Sequence, residues 1–440
     1  MRRFSLDRNL PGAPPVFSIM NHFQSSTPLS RGFSASAHPH GPGRAPCSPW
    51  TSILAKLPVL VVLLTASGCA VAERVEEAFR GETPRERYVE GLDRAGLDGT
   101  LLGSSWMRVG EAALESGPLV ALPHREEGVL LPEEPTALSA SFDLRRGEYL
   151  QVVFTRQEDG DSVDEAREWG SGSRVFIDLH RLRDPDRPTE EGGPRPITLA
   201  WSEAGSGLAD TLVHEASVSG RYLARAQPEL LAGGSFTLEI RSGPSMDFPV
   251  AGRTTRDIQS RFGAARDGGR REHHGVDIFA PRGTPVLAAG PGVVRRVNET
   301  PIGGKVVWVF DQERNLSRYY AHLDSQAVEA GRRVEPGDTL GTVGNTGNAR
   351  TTPPHLHFGI YVRGEGPVDP WPYLYQPASP LPPVRVDPAR FGTAGTVRAD
   401  DVPVRIVSGS GNLYRVRTRG DGQHRHSLVP AEALSPQAAP

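Results

Sequence analysis

From about residue 135 onward, the apolar side chains of this chain recur at every second position. Leu138, Ala140, Phe142 and Leu144 alternate with Ser139, Ser141 and Asp143, and the same period returns in Val175-Ile177-Leu179 and Phe236-Leu238-Ile240. Successive side chains of a strand point to opposite faces, so one row enters a core while the next faces out. Glycine (49) and proline (40) supply about a fifth of the 440 residues and punctuate these short runs. A helical bundle does not tolerate that composition, and the pattern predicts a mainly β, multidomain chain. Residues 135–245 read as an antiparallel β-sandwich of short strands.

The length suits roughly three domains of about 150 residues. A formal charge of −3 points to no nucleic acid partner. Residues 1–69 read as a poorly structured N-terminus with an export segment. The one strongly apolar run, residues 57–66, would span about 15 Å as a helix, half of a hydrocarbon core. That is short for a membrane span and right for a signal core, with Arg44 and Lys56 before it and Ala66-Ser67-Gly68-Cys69 after it. A small-residue run closing on cysteine resembles the lipobox of bacterial lipoproteins, with Ala66 where that family usually carries leucine. The resemblance implies acylation of Cys69, a membrane anchor through it, and an exported protein of the cell envelope (periplasm or outer-membrane lipoprotein).

Residues 70–134 read as a short helical region, opened by a capping box at Thr83-Pro84-Arg85-Glu86 and followed by Tyr88, Leu92 and Ala95 at helical spacing. At the other end, residues 376–391 form a proline-rich linker. The short strands within 392–436 are similar to a bacterial Src-homology-three-like barrel.

Two fragments carry chemistry. Residues 273–277 read His-His-Gly-Val-Asp and residues 355–357 read His-Leu-His. In an extended strand, positions two or four apart share a face, so His273 can converge with Asp277, and His355 with His357. With both cysteines at positions 47 and 69, a metal beyond them must be held by histidine and carboxylate. A catalytic metal takes three such ligands and an open fourth position. Other His-x-His pairs, His38/His40 and His424/His426, read as solvated loop residues. No His-Glu-x-x-His exists, because Val218 follows His214-Glu215 at the required spacing.

The surroundings extend the pattern. Asp277-Ile-Phe-Ala-Pro is followed by Tyr319-Tyr-Ala-His322-Leu, then by Gly337-Asp-Thr-Leu-Gly-Thr-Val-Gly-Asn-Thr-Gly, then by Pro354-His-Leu-His-Phe. In this order the blocks closely resemble the lysostaphin-type (LytM-type) zinc metallopeptidases, over residues 250–375. The resemblance implies a β-rich hybrid-motif peptidase domain that holds one zinc ion on His273, Asp277 and His357. It implies that His322 and His355 are catalytic, facing a metal-activated water, with the base and the oxyanion-side role interchangeable between them. It also implies hydrolysis of peptide cross-links in bacterial peptidoglycan. Two other functions stay open: a non-enzymatic LytM-type activator of a wall amidase, and a secreted protease acting on Gly-rich protein. Lipoyl-type carriers share the Gly-Asp-Thr-Leu-Gly signature, but the single lysine of this region, Lys305, follows Gly303-Gly304 and does not resemble a carrier tip. Glycine loops at 268–269, 303–304 and 344–347 are expected to wall a narrow groove.

Overall fold

A computed structural model describes residues 81–115, 117–157, 169–182, 196–203, 205, 207–375, 379–399, 402–420 and 423–435. The apolar run 57–66, Cys69 and the His38/His40 pair lie outside the described residues. The first element is helix α1 (Pro84–Arg94). Thr83 Oγ1 accepts from the Glu86 backbone N–H at 3.1 Å, and the Glu86 carboxylate accepts from the Thr83 N–H at 2.7 Å. A second helix, α2 (Leu101–Glu115), has no counterpart in the sequence reading. Its two internal glycines, Gly103 and Gly110, each lower helix propensity by about 1 kcal/mol and hide it. Gly110 is required by packing, since a Cβ there would lie 2.5 Å from Gln227 Oε1. The helix is secured instead by Trp106, which is buried and donates from Nε1 to the Pro228 carbonyl at 2.7 Å.

The rest is mainly β. The first strands are β1 (His124–Leu130), β2 (Leu138–Leu144), β3 (Glu148–Arg156), β4 (Val175–Arg181), β5 (Ile197–Trp201), β6 (Ala209–Glu215), β7 (Gly220–Pro228) and β8 (Gly234–Pro244). One sheet runs β2-β7-β4-β5, and β1, β8, β3 and β6 are consecutive neighbours in another. All these pairings are antiparallel. The alternating residues Leu138, Ala140 and Phe142 meet Phe154, Phe236, Leu238 and Ile240 in one apolar core.

The next block comprises β9 (Ile258–Ser260), β10 (Ala265–Arg266), β11 (Arg271–Glu272), β12 (Val276–Phe279), β13 (Pro285–Leu287), β14 (Gly292–Thr300), β15 (Gly304–Asp311), β16 (Leu316–Gln326), β17 (Arg333–Val334), β18 (Thr339–Val343), β19 (His355–Val362) and β20 (Gly366–Val368). Its main sheet runs β17-β14-β15-β16-β19-β12-β9, while β10 and β11 form a separate small hairpin. Val276, Ile278, Val307, Val309, Tyr320, Leu356, Phe358 and Ile360 fill its core at zero exposure. A short helix, α3 (Trp371–Leu374), closes the block.

The chain ends in β21 (Ala394–Val397), β22 (Val402–Ser410), β23 (Leu413–Gly420) and β24 (Gln423–Pro430). These strands have their own apolar cluster around Phe391, Ile406, Tyr414 and Val416. They also join the earlier sheet, because β22 pairs with β1 through Glu127↔Gly409 and Gly128↔Ser408. Beside that ladder, Arg415 grips Glu126 with two nitrogens, Nη2 to Oε2 at 2.8 Å, and both side chains are fully buried. Arg415 Nη1 also donates to the Ser139 carbonyl at 3.0 Å, and Ser408 Oγ donates to Glu126.

Burial by itself would push Glu126 up, but the Arg415 guanidinium and the His124 hydrogen bond hold its carboxyl far below the ordinary 4.5. A depressed folded-state pKa means that this stabilisation is fully present above the ordinary value and is lost as pH falls below it. Removing one partner of a buried pair leaves an uncompensated charge, so Arg415→Ala should destabilise the fold by about 3–5 kcal/mol in denaturant titration. Glu126→Gln should lose stability at neutral pH and show a smaller further drop on acidification than the parent protein.

Candidate metal centre

Three adjacent strands of the main peptidase sheet bring the functional side chains together. Register sets Asp277 on β12 opposite His357 on β19, and His357 opposite Ala321 on β16. Leu356, Phe358 and Ile360 of β19 enter the core, so the alternate residues His355, His357 and Tyr361 line a pocket of about 550 Å³ on the other face.

His273 joins them by a different route from the one its spacing suggests. Strand β11 ends at Glu272 and β12 begins at Val276, so His273 and Asp277 do not share one strand. They converge because the chain turns through Gly275, where a Cβ would lie 2.8 Å from His357 Cε1 and collide with the Phe358 carbonyl. His273 Nε2 is 2.8 Å from His357 Nδ1 and 3.0 Å from Asp277 Oδ1, and His357 Nδ1 is also 3.0 Å from that oxygen. Two imidazole nitrogens and one carboxylate oxygen therefore form a triangle about 3 Å on a side. Such a triangle fits around one metal ion at bonds of about 2.0–2.2 Å. His273 Nδ1 donates to the Arg261 carbonyl at 2.9 Å, which leaves the Nε2 lone pair for the metal. Burial alone would raise the Asp277 carboxyl, but the hydrogen bonds to His273 and His357 hold it well below the carboxylate range.

The other two histidines stand beside this triangle. His355 Nε2 lies 4.0 Å from Asp277 Oδ1, and its Nδ1 donates to the Pro353 carbonyl at 2.9 Å. His322 adopts φ +63, a left-handed backbone that a bulky residue rarely takes without being held there. Its N–H donates to the Gly303 carbonyl at 2.8 Å, and its ring Nδ1 donates to the Thr346 carbonyl at 2.9 Å. Thr346 is itself pinned, accepting from the Lys305 N–H at 3.0 Å and donating to the Leu323 carbonyl at 2.9 Å. Carbonyl oxygens only accept, so in both rings Nδ1 carries the hydrogen and Nε2 is the lone-pair atom. Burial, followed by the neighbouring His355 and His357, lowers the His322 imidazole to about 4, which keeps it neutral. His274 lines the pocket but is not part of the triangle.

Of the three glycine loops, the one at Gly303 lines the pocket directly, and Asn348, Ala349 and Thr352 follow the loop at 344–347. Gly268–Gly269 does not line it, though Arg266 and Arg271 on either side of that turn do. The sequence reading missed Arg266, whose Nη2 donates to Asp277 Oδ2 at 2.7 Å and to Ser260 Oγ at 2.6 Å. It also missed an aromatic wall: Trp308 lies opposite Tyr319 in the ladder, their ring centres 4.4 Å apart, with Tyr361 5.1 Å from Trp308. The available signal was the period of two, which places Tyr361 on the same face as His357.

Comparison with known proteins converges on this region. The profile described as Peptidase family M23 matches residues 271–370. The chain is similar to the "L-Ala--D-Glu endopeptidase" of Bacillus subtilis (strain 168), at 40% identity over 138 residues, 29% of this chain and 42% of that protein. It is similar to the "Peptidoglycan DD-endopeptidase ShyC" of Vibrio cholerae, at 33% identity over 165 residues, 34% of this chain and 37% of that protein. The "Uncharacterized lipoprotein YgeR" of Escherichia coli (strain K12) matches at 35% identity over 138 residues, 30% of this chain and 51% of the relative. The chain thus spans about half or less of the length of these relatives.

The clearance at Gly275 can be measured. Gly275→Ala should displace His357 and weaken metal binding by about tenfold to a hundredfold in chelator competition, with the circular dichroism spectrum unchanged. Undiminished affinity would show that His357 is not a ligand.

Proposed function

Residues 271–370 form a peptidase M23 domain of the lysostaphin type, and from that premise we propose that the chain is a zinc-dependent endopeptidase hydrolysing peptide cross-links of bacterial peptidoglycan. The observation that carries this reading is the complete set of five residues: a three-donor triangle with two further imidazoles whose lone pairs are directed by backbone hydrogen bonds. A non-enzymatic activator of a wall amidase would have no need of these last two. The names of the relatives, a peptidoglycan DD-endopeptidase among them, support the substrate.

In this reading His273 Nε2, Asp277 Oδ1 and His357 Nδ1 hold one zinc ion, a donor set that zinc accepts. When bound, zinc supplies Lewis acidity, polarising a scissile carbonyl and bringing the pKa of water to about 7. We assign His355, the nearer of the two remaining imidazoles to Asp277, as the base that takes a proton from the attacking water at Nε2. His322 supports the developing oxyanion or protonates the leaving amine. With Nδ1–H committed to a carbonyl, neither ring has an Nε2 hydrogen to give until it has accepted one. The proton removed from water is therefore the one available to the departing nitrogen, and the two roles can be exchanged between the rings.

The remaining regions take supporting roles. We read 135–245 as a β-sandwich accessory domain, 250–375 as the peptidase, 376–391 as a linker and 392–436 as a Src-homology-three-like wall-binding unit. Acylation at Cys69 would keep the protein in the cell envelope, a reading supported by the lipoprotein among the relatives. Among the described residues, no helix is long and apolar enough to cross a membrane.

His357→Ala should lose both zinc and activity. His355→Ala should keep its zinc and lose at least about a hundredfold in rate, as expected for removal of a positioned base. Zinc by elemental analysis, together with mass spectrometry of muropeptides released from purified sacculi, reads both. Soluble muropeptides from either variant at the parent rate would overturn the assignment.

A further inference from the structure

The two arginines of the β10–β11 hairpin have no place in the chemistry described so far. Arg266 and Arg271 are register partners, so two like charges lie directly across the ladder, an arrangement that is unfavourable in isolation. Both line the metal-site pocket. Among the described residues on that lining, Asp277 is the sole carboxylate, and it is engaged by His273, His357 and Arg266. This wall of the pocket therefore carries an excess of positive charge before any metal is added, and it favours an anionic ligand group.

Arg266 can supply a specific contact as well as a field. Its Nη2 holds Asp277 Oδ2 and Ser260 Oγ, and among the described residues it makes no other hydrogen bond. The side chain is 29% exposed, so the edge formed by Nε and Nη1 is presented to the pocket. A guanidinium edge matches a carboxylate in two parallel hydrogen bonds, which gives direction as well as strength. Because Nη2 is fixed to a metal ligand, this edge lies within one residue's reach of a carbonyl held at the metal.

We infer that Arg266 is a specificity-determining residue that binds a free carboxylate on the carbon bearing the leaving nitrogen of the scissile amide. This rests on the endopeptidase reading and narrows it to peptides with an acidic group immediately after the cut. Unsubstituted glycine bridges, which have no such group, are disfavoured. Ser260 and Asp277 restrain one guanidinium nitrogen, so the open edge is oriented before the substrate arrives.

The test uses the full chain loaded with zinc and two probes, acetyl-L-Ala-D-Ala-D-Ala and its C-terminal carboxamide, which differ only in the charge next to the last amide. The parent protein should favour the carboxylate by about tenfold or more in kcat/KM, the scale of a charge-assisted hydrogen bond. Arg266→Gln should erase this ratio, and Arg266→Lys should restore part of it. A purely structural role for Arg266 would lower both probes together and leave the ratio intact, and that result would overturn the inference. So would equal handling of the two probes by the parent protein. Binding of the same pair to the zinc-loaded His355→Ala protein, followed by calorimetry, reads the preference without turnover. A failed sacculus digest combined with a preserved binding preference would then count against the endopeptidase reading and not against Arg266.

Discussion

Strands β16, β19 and β12 have to satisfy two environments with alternate residues, and the site depends on that division. On β19 the even positions Leu356, Phe358 and Ile360 are sealed in the core, while His355 and His357 face the pocket. A slip of one residue would exchange the two sets, placing imidazoles in the apolar interior and phenylalanine over the metal position. The core therefore does more than stabilise the domain: it fixes which side chains reach the pocket. The same alternation on β16 buries Tyr320 and turns Tyr319 toward His357, their ring centres 5.8 Å apart.

What the strands place, the loops orient. Three imidazoles of the site, those of His273, His322 and His355, each donate from Nδ1 to a backbone carbonyl at 2.9 Å, on Arg261, Thr346 and Pro353 respectively. A carbonyl has no alternative role, so each bond selects one tautomer and directs the opposite nitrogen inward. His357 is the exception. It presents Nδ1 to the site and has its orientation set by Asp277 and by the space left at Gly275. The loop carrying Thr346 is held in turn: Arg282 bonds Asp324 and Asn345, and Asn345 donates to the Arg350 and Thr352 carbonyls at 3.3 Å. Rigid loops of this kind allow unregulated backbone atoms to determine where protons can go.

The sequence made the five polar positions readable because they sit at strand spacing within recognisable blocks. It also made the strand-rich character and the Thr83 cap readable, since both are local patterns. Other features were hidden for physical reasons. Helix α2 carries Gly103 and Gly110, chosen for clearance against neighbours that the local sequence cannot show. Arg266 belongs to a two-residue strand with no periodicity, and only the hairpin's fold brings it to Asp277. The wall of Trp308, Tyr319 and Tyr361 exists only once three strands are in register. For His273 the expected convergence is present but its cause differs, since a turn at Gly275 achieves what a continuous strand was expected to do.

The ladder between β1 and β22 has a consequence for how the peptidase block is suspended. Strands from either side of it along the chain lie in a single sheet, clasped by Glu126 and Arg415. The block is thus nested, entering and leaving through one shared platform. It also rests on that platform: Tyr373 packs on Gly147, and Arg314 reaches Glu215 at 2.8 Å. A module hung from one end can swing like a gate, whereas one held at both ends behaves like a drawer front, with its opening facing a set direction. For a catalyst working on a polymer mesh much larger than itself, the aim of the groove is then a property of the whole frame, and the mesh must come to it.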